Sequence, residues 1–199
     1  MQAYQIPLSS SPPRKKPRIS PASQEKLSAD VLPRFSPYNR GRIAVFVDGQ
    51  NLFHAAMQLG IEIDYIKLLR CLTADSRLLR SFFYTGYDTG HNKQQNFLHW
   101  LRRHGYRVVA KELTQFSDGS KKADMTVEIA IDMMTLVSRY NTAVLVSGDG
   151  DLAYAVDAVC YQGVRVEVVG LRSMTSDRLI NFADSYIDLA EIGHQIHKS

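Results

Sequence analysis

The sequence predicts an α/β protein, a three-layer fold in which helices flank a central, mostly parallel sheet of five strands. Three observations carry that expectation. Two short, continuous apolar stretches, at 43–47 and 142–146, have the character of strands buried on both faces. Helix-like and strand-like segments alternate around and between them. All seven prolines fall within the first 37 residues, so nothing later in the chain interrupts that alternation.

In chain order, residues 1–40 combine the prolines with serines and few large apolar side chains. Such a stretch cannot offset the entropy of ordering it, and a disordered, basic tail is expected. The domain then runs over 41–192, with 193–199 as a short C-terminal tail. Strand 43–47 leads to helices over 50–59 and 64–72, the second with Asp64 as its N-cap. Strand 78–84, helix 92–104 (ended by Gly105) and strand 106–113 follow. Residues 117–120, Ser-Asp-Gly-Ser, read as a turn. The longest helix is expected over 123–138, then strand 142–146 and helix 150–161. Residues 164–168 alternate strictly, Val-Arg-Val-Glu-Val, which suits an edge strand with one wet face. A helix over 175–183 and an extended piece at 186–189 complete the chain.

Composition narrows the class. No apolar run approaches the roughly 18 residues that a membrane span needs, and the N-terminus lacks the apolar core of a secretory signal. Cys71 and Cys160 are too few for a disulfide framework or a four-cysteine zinc site, so a reducing cytoplasm is expected. The net charge of +4 is unevenly spread. Residues 1–40 hold seven basic and two acidic side chains, whereas the remainder holds 17 basic and 18 acidic. The basic character therefore belongs to the tail, chiefly Pro-Arg-Lys-Lys-Pro-Arg at 13–18. Arg14, Lys15 and Lys16 of that cluster suit phosphate contacts, a nuclear address in a eukaryote, or simply a solubilising tail.

The two apolar strands should be central neighbours, and in such sheets ligands bind beyond the carboxyl ends of the strands where strand order reverses. After the first comes Asp48-Gly49-Gln50-Asn51; after the other comes Ser147-Gly148-Asp149-Gly150-Asp151. Three carboxylates are thus delivered to one crevice. They repel each other unless a cation joins them, and hard oxygen ligands select Mg²⁺ or Mn²⁺. Each aspartate also suits an N-cap, and Asp-Gly pairs are ordinary turn chemistry. Asn51 suits orienting a carboxylate or a phosphate. On the expected long helix, Asp124, Glu128, Asp132, Thr135 and Arg139 form one polar stripe, either a solvated face or a further source of ligands. Asp124 and Asp132 lie about 12 Å apart along a helix, too far to hold one ion together. Lys122 suits a phosphate contact or a plain surface role.

The blocks Val47–Asn51 and Ser147–Asp151, with Lys122-Ala123-Asp124 followed by Glu128 and Asp132, resemble the NYN domain of the PIN-like nuclease group. Within it, the similarity is to the LabA-like (DUF88) branch, over about residues 42–190. The resemblance implies a PIN-like fold and cleavage of RNA dependent on a divalent metal. By position it implies Asp48 as the first-strand acid, Asn51 as its polar neighbour, and Asp149 and Asp151 as the pair after the fourth strand. Family members often carry an acid where this chain has Thr126. That leaves either Asp124 or Asp132 as the helix acid.

Nucleic acid has a candidate surface around 91–107, where Arg102, Arg103 and Arg107 suit a phosphate backbone and Tyr84 and Tyr87 suit base stacking. Solvated helix and ordinary packing are the plain alternative. No Walker loop or G-x-G-x-x-G occurs. The expected function is a metal-dependent ribonuclease, with Asp48, Asp124, Asp149, Asp151 and Asp132 as the candidate metal ligands. The alternative is a non-catalytic RNA-binding regulator on the same fold. A homodimer through an open edge at 164–168 is a third expectation.

Overall fold

The computed structural model describes residues 39–88, 92–115 and 121–198. The basic cluster with Arg14, Lys15 and Lys16, and the turn at 117–120, lie outside the described residues. The elements are β1 (Arg42–Asp48), α1 (Gly49–Leu59), α2 (Tyr65–Thr73), β2 (Arg77–Tyr87), α3 (Asn92–Arg103), β3 (Tyr106–Glu112), β4 (Thr114–Gln115) and β5 (Lys121–Lys122). There follow α4 (Thr126–Thr135), β6 (Thr142–Val146), α5 (Ala153–Tyr161), β7 (Arg165–Gly170), α6 (Asp177–Phe182), β8 (Ser185–Asp188) and α7 (Leu189–Ile196).

The main sheet has six strands in the order β3-β2-β1-β6-β7-β8, and every neighbouring pair is parallel. The expected count of five becomes six because the extended piece near 186 pairs with β7. β4 and β5 form a separate antiparallel ribbon. Side chains alternate across the sheet with the two-residue period of a strand. Ile43, Val45 and Val47 face a core built with Leu52, Leu68, Leu101 and Ile196. Ala44 and Phe46 face the opposite core, with Ile129, Met133, Val156 and Leu179. Helices thus cover both faces, and among the described residues no helix is long and apolar enough to cross a membrane.

Three local expectations are corrected. Residues 164–168 are not an edge: β8 covers β7, and Glu167 is 0% exposed. The polar alternation there has another cause. Glu167 is paired with Arg40 at 2.8 Å and with Arg165 at 3.0 Å, so its charge is compensated inside the fold rather than in water. The open edge expected at 164–168 as a homodimer surface therefore does not exist. Arg40, counted with the tail, is buried and belongs to the body. Its guanidinium donates to the Leu72 and Thr73 carbonyls at 2.9 and 3.3 Å, and its carbonyl accepts from the Thr142 hydroxyl at 2.7 Å. The C-terminal tail expected from 193 continues as α7 to Ile196, whose side chain is wholly buried.

The fourth correction positions the site. The helix expected over 123–138 runs only over α4, followed by a 3₁₀ turn at Val137–Arg139. Asp124 is therefore not on the helix. It precedes it, and its Oδ1 accepts the Thr126 amide at 2.8 Å.

Candidate functional site

Strand order reverses between β1 and β6, and a crevice of about 660 Å³ opens beyond their carboxyl ends. Asp48 ends β1 and caps α1: its Oδ1 accepts the Gln50 and Asn51 amides at 3.1 and 3.0 Å. Asp149 follows β6 and caps the 3₁₀ turn Gly150–Leu152, its Oδ1 accepting the Asp151 amide at 3.0 Å. Both carboxylates line the crevice. Capping and site-forming are thus not alternatives. One oxygen of each group holds the backbone while the group as a whole faces the opening.

Ser147 couples them. Its hydroxyl donates to Asp48 Oδ2 at 3.1 Å and accepts the Asp149 amide at 3.2 Å, and the residue is wholly buried. Asn51 ties the two strand ends together by accepting the Gly148 amide at 3.0 Å. Gly148 must be glycine because a Cβ would collide with the Met174 carbonyl. That close approach brings the 173–176 loop over the crevice, where Ser176 donates its amide to the Gly148 carbonyl at 3.0 Å.

Thr126 opens α4 and donates its hydroxyl to Asp149 Oδ2 at 3.1 Å. It also bears on Asp124. Hydrogen bonding from Thr126, with a smaller contribution from the Lys111 charge, holds the Asp124 carboxyl below its usual range. Asp48 goes the other way. Burial pushes its pKa up, hydrogen bonds from Asn51, Ser147 and Gln50 oppose the rise, and the Asp149 charge adds to it.

The structure brings Asp48, Asn51, Asp124 and Asp149 to one crevice, with Thr126 and His54. Asp151 and Asp132 do not line it. Asp151 is exposed on the 3₁₀ turn, and Asp132 accepts the Tyr84 hydroxyl at 2.9 Å on the flank of α4. Tyr84 is wholly buried, so it offers no face to a base. Glu128 is paired with Lys111 at 2.8 Å. Tyr87 and Arg102 line a different depression of about 400 Å³, with His99 and Val108. Arg103 is exposed elsewhere on the last turn of α3, and the Lys122 backbone lies in β5. Sequence reasoning missed Ser147, the positive role of Thr126, and the 173–176 loop. The loop alone had a readable signal, since it follows a strand's carboxyl end, where ligands gather.

Among the described residues no group of three His, Cys, Asp or Glu side chains is arranged to enclose a metal ion. The donor set still fits Mg²⁺ or Mn²⁺. A carboxylate offers about four acceptor positions. Asp48 accepts three hydrogen bonds and Asp149 accepts two, so both carboxylates keep acceptor capacity. Mg²⁺ keeps several waters and is commonly held by one or two carboxylates plus substrate phosphates, not by an all-protein cage.

The chain is similar to known proteins in sequence and fold. Residues 42–190 match the NYN domain. The chain is 32% identical over 170 residues to the low amplitude and bright protein LabA of Synechococcus elongatus, covering 81% of this chain and 91% of the relative. A crystal structure of a Vibrio parahaemolyticus protein of unknown function superposes with a TM-score of 0.68 at 29% identity, covering 76% of this chain and 94% of that one.

Proposed function

The chain belongs to the NYN domain family, and from that premise we propose that the crevice between β1 and β6 hydrolyses a phosphodiester of RNA with Mg²⁺ or Mn²⁺. One observation carries the reading: two strand-end aspartates, each anchored as a cap and joined through the Ser147 hydroxyl, face one open crevice. Asp48 and Asp149 would hold the cation, with Asp124 nearby on the crevice wall. When bound, such a cation activates a water and neutralises charge developing on the phosphate.

The chain's own residues supply position. Ser147 and the caps fix both carboxylates before substrate arrives, so little reorganisation accompanies the reaction. Asn51 keeps the two strand ends in register. Thr126 directs Asp149 Oδ2. The raised pKa of Asp48 means that a cation must compete with its proton, so loading improves as pH rises.

The test is a titration of the protein with Mn²⁺ and Mg²⁺ against labelled single-stranded RNA, beside an Asp48→Asn/Asp149→Asn variant. Metal-dependent cleavage by the wild type alone is expected. Equal cleavage by the variant would overturn the assignment. Thr126 motivates a second reading, a regulator that binds RNA without turning it over, because a hydroxyl stands beside Asp149 where family members often carry an acid. Salt-sensitive RNA binding with no cleavage under either metal would favour it.

A further inference from the structure

The opposite end of the sheet carries a second polar depression, of about 600 Å³, at the amino ends of β1, β2 and β6. Its lining includes three arginines. Arg42 and Arg77 begin β1 and β2 and are register partners. Arg139 ends the 3₁₀ turn that precedes β6. β1 runs seven residues from Arg42 to Asp48, so this depression lies about 20 Å from the aspartate crevice.

Helices and turns end here, and arginines commonly serve the carbonyls of helix C-termini. That duty is already filled. Arg40 takes the Leu72 and Thr73 carbonyls at the end of α2. Arg42 donates to the Arg139 carbonyl at 3.3 Å. The guanidinium groups of Arg77 and Arg139 make no hydrogen bond or ion pair among the described residues. Asp75, the one acid in the lining, pairs with neither. The Ser76 and Ser138 hydroxyls also have no partner among the described residues, and Asn141 uses its Oδ1 on the Arg42 amide, which leaves its NH₂ free to donate. The lining is rich in donors and poor in acceptors, with three positive charges against one negative.

We propose that this depression is a binding site for a phosphate oxyanion, gripped by Arg77 and Arg139 with Arg42 at its base. Guanidinium forks match phosphate geometry and form charge-assisted hydrogen bonds to it. The group comes either from a free phosphate compound or from the backbone of a nucleic acid strand. It is distinct from the phosphodiester at the aspartate crevice, and its binding does not depend on cleavage there.

The experiment uses the full chain in EDTA, so that no cation contributes and no RNA is cut. Sodium pyrophosphate is titrated calorimetrically in one arm, and labelled oligouridylate by anisotropy in the other. Arg77→Ala/Arg139→Ala should weaken binding at least about tenfold, since charge-assisted hydrogen bonds are the strong ones. Asp75→Asn should tighten it, which gives a readout in the opposite sense if the double variant folds poorly. Weakened pyrophosphate binding assigns a free phosphate compound. Weakening confined to oligouridylate assigns a strand backbone. The log–log salt dependence should then become shallower by about 1.4, at about 0.7 for each phosphate that an arginine no longer neutralises. Absence of binding in both arms, or affinity unchanged in both variants, overturns the site.

Discussion

Asp48 carries two demands at once. As a cap it must accept amide hydrogens, and as a crevice group it must bear charge in a partly desolvated place. Its pKa is raised above 3.8 by burial. For a carboxyl raised in the fold, the associated stability is present below the unfolded pKa and is lost as pH rises through the folded one. Asn caps a helix as well as Asp does. Asp48→Asn should therefore be at least as stable as wild type at pH 7, with the advantage shrinking toward pH 4. Urea melts at the two pH values check this, and a variant weaker by more than about 1 kcal/mol at pH 7 would contradict it. Thr126 is the other informative residue, because its single hydroxyl proton serves Asp149 beside Asp124. Thr126→Asp should tighten Mn²⁺ binding, read by calorimetry, and lower stability without metal through carboxylate repulsion. Looser Mn²⁺ binding would argue that Asp149 needs the hydroxyl to face the crevice. The first-strand acid was legible from sequence. The buried Ser147 bridge was not, because a serine after a strand has no pattern that separates a bridge from a turn.

At the scale of elements, the caps place the chemistry. The Asp64 cap of α2 accepts the Ile66 and Lys67 amides at 2.9 and 3.0 Å, as its sequence position suggested. Asp64→Ala should cost about 1 kcal/mol by denaturant melts at neutral pH. The backbone amide of Lys67, chiefly, lowers the Asp64 pKa below 3.8. Its contribution is thus present above pH 3.8 and fades as pH falls through the lowered value, so the deficit of the variant should vanish in acid. A deficit unchanged down to about pH 2 would assign it to packing instead. The start of α4 shows where element reading failed. The polar spacing of Asp124, Glu128 and Asp132 continues the helical period upstream of Thr126, and Ala123 and Met125 are apolar and buried, so a helix from 123 was the natural inference. The backbone instead stays outside the helix to deliver Asp124 to the crevice, and periodicity cannot distinguish buried loop residues from a first helical turn.

At the scale of the molecule, the Arg40–Glu167–Arg165 cluster closes the end of the sheet remote from the aspartates. It joins the residues before β1 to an internal strand and, through Arg40, to the end of α2. Removing one partner strands a buried charge, so Glu167→Ala should destabilise by about 3–5 kcal/mol. Thermal or urea unfolding checks this, and a loss below about 1 kcal/mol would mean that water replaces the pair. The same cluster makes Arg40 a structural residue of the domain.

By itself the sequence determined the fold class, the two central strands, and the delivery of Asp48, Asn51 and Asp149 to one crevice. These follow from local, one-dimensional signals: continuous apolar runs, caps and strand-end turns. Tertiary structure alone decided that β8 covers β7, that Glu167 is compensated by Arg40, that Asp132 turns to Tyr84, and that Thr126 meets Asp149. Each of those depends on which distant segment lies alongside, and a charge or hydroxyl in the sequence looks the same whether its partner is water or a residue far along the chain.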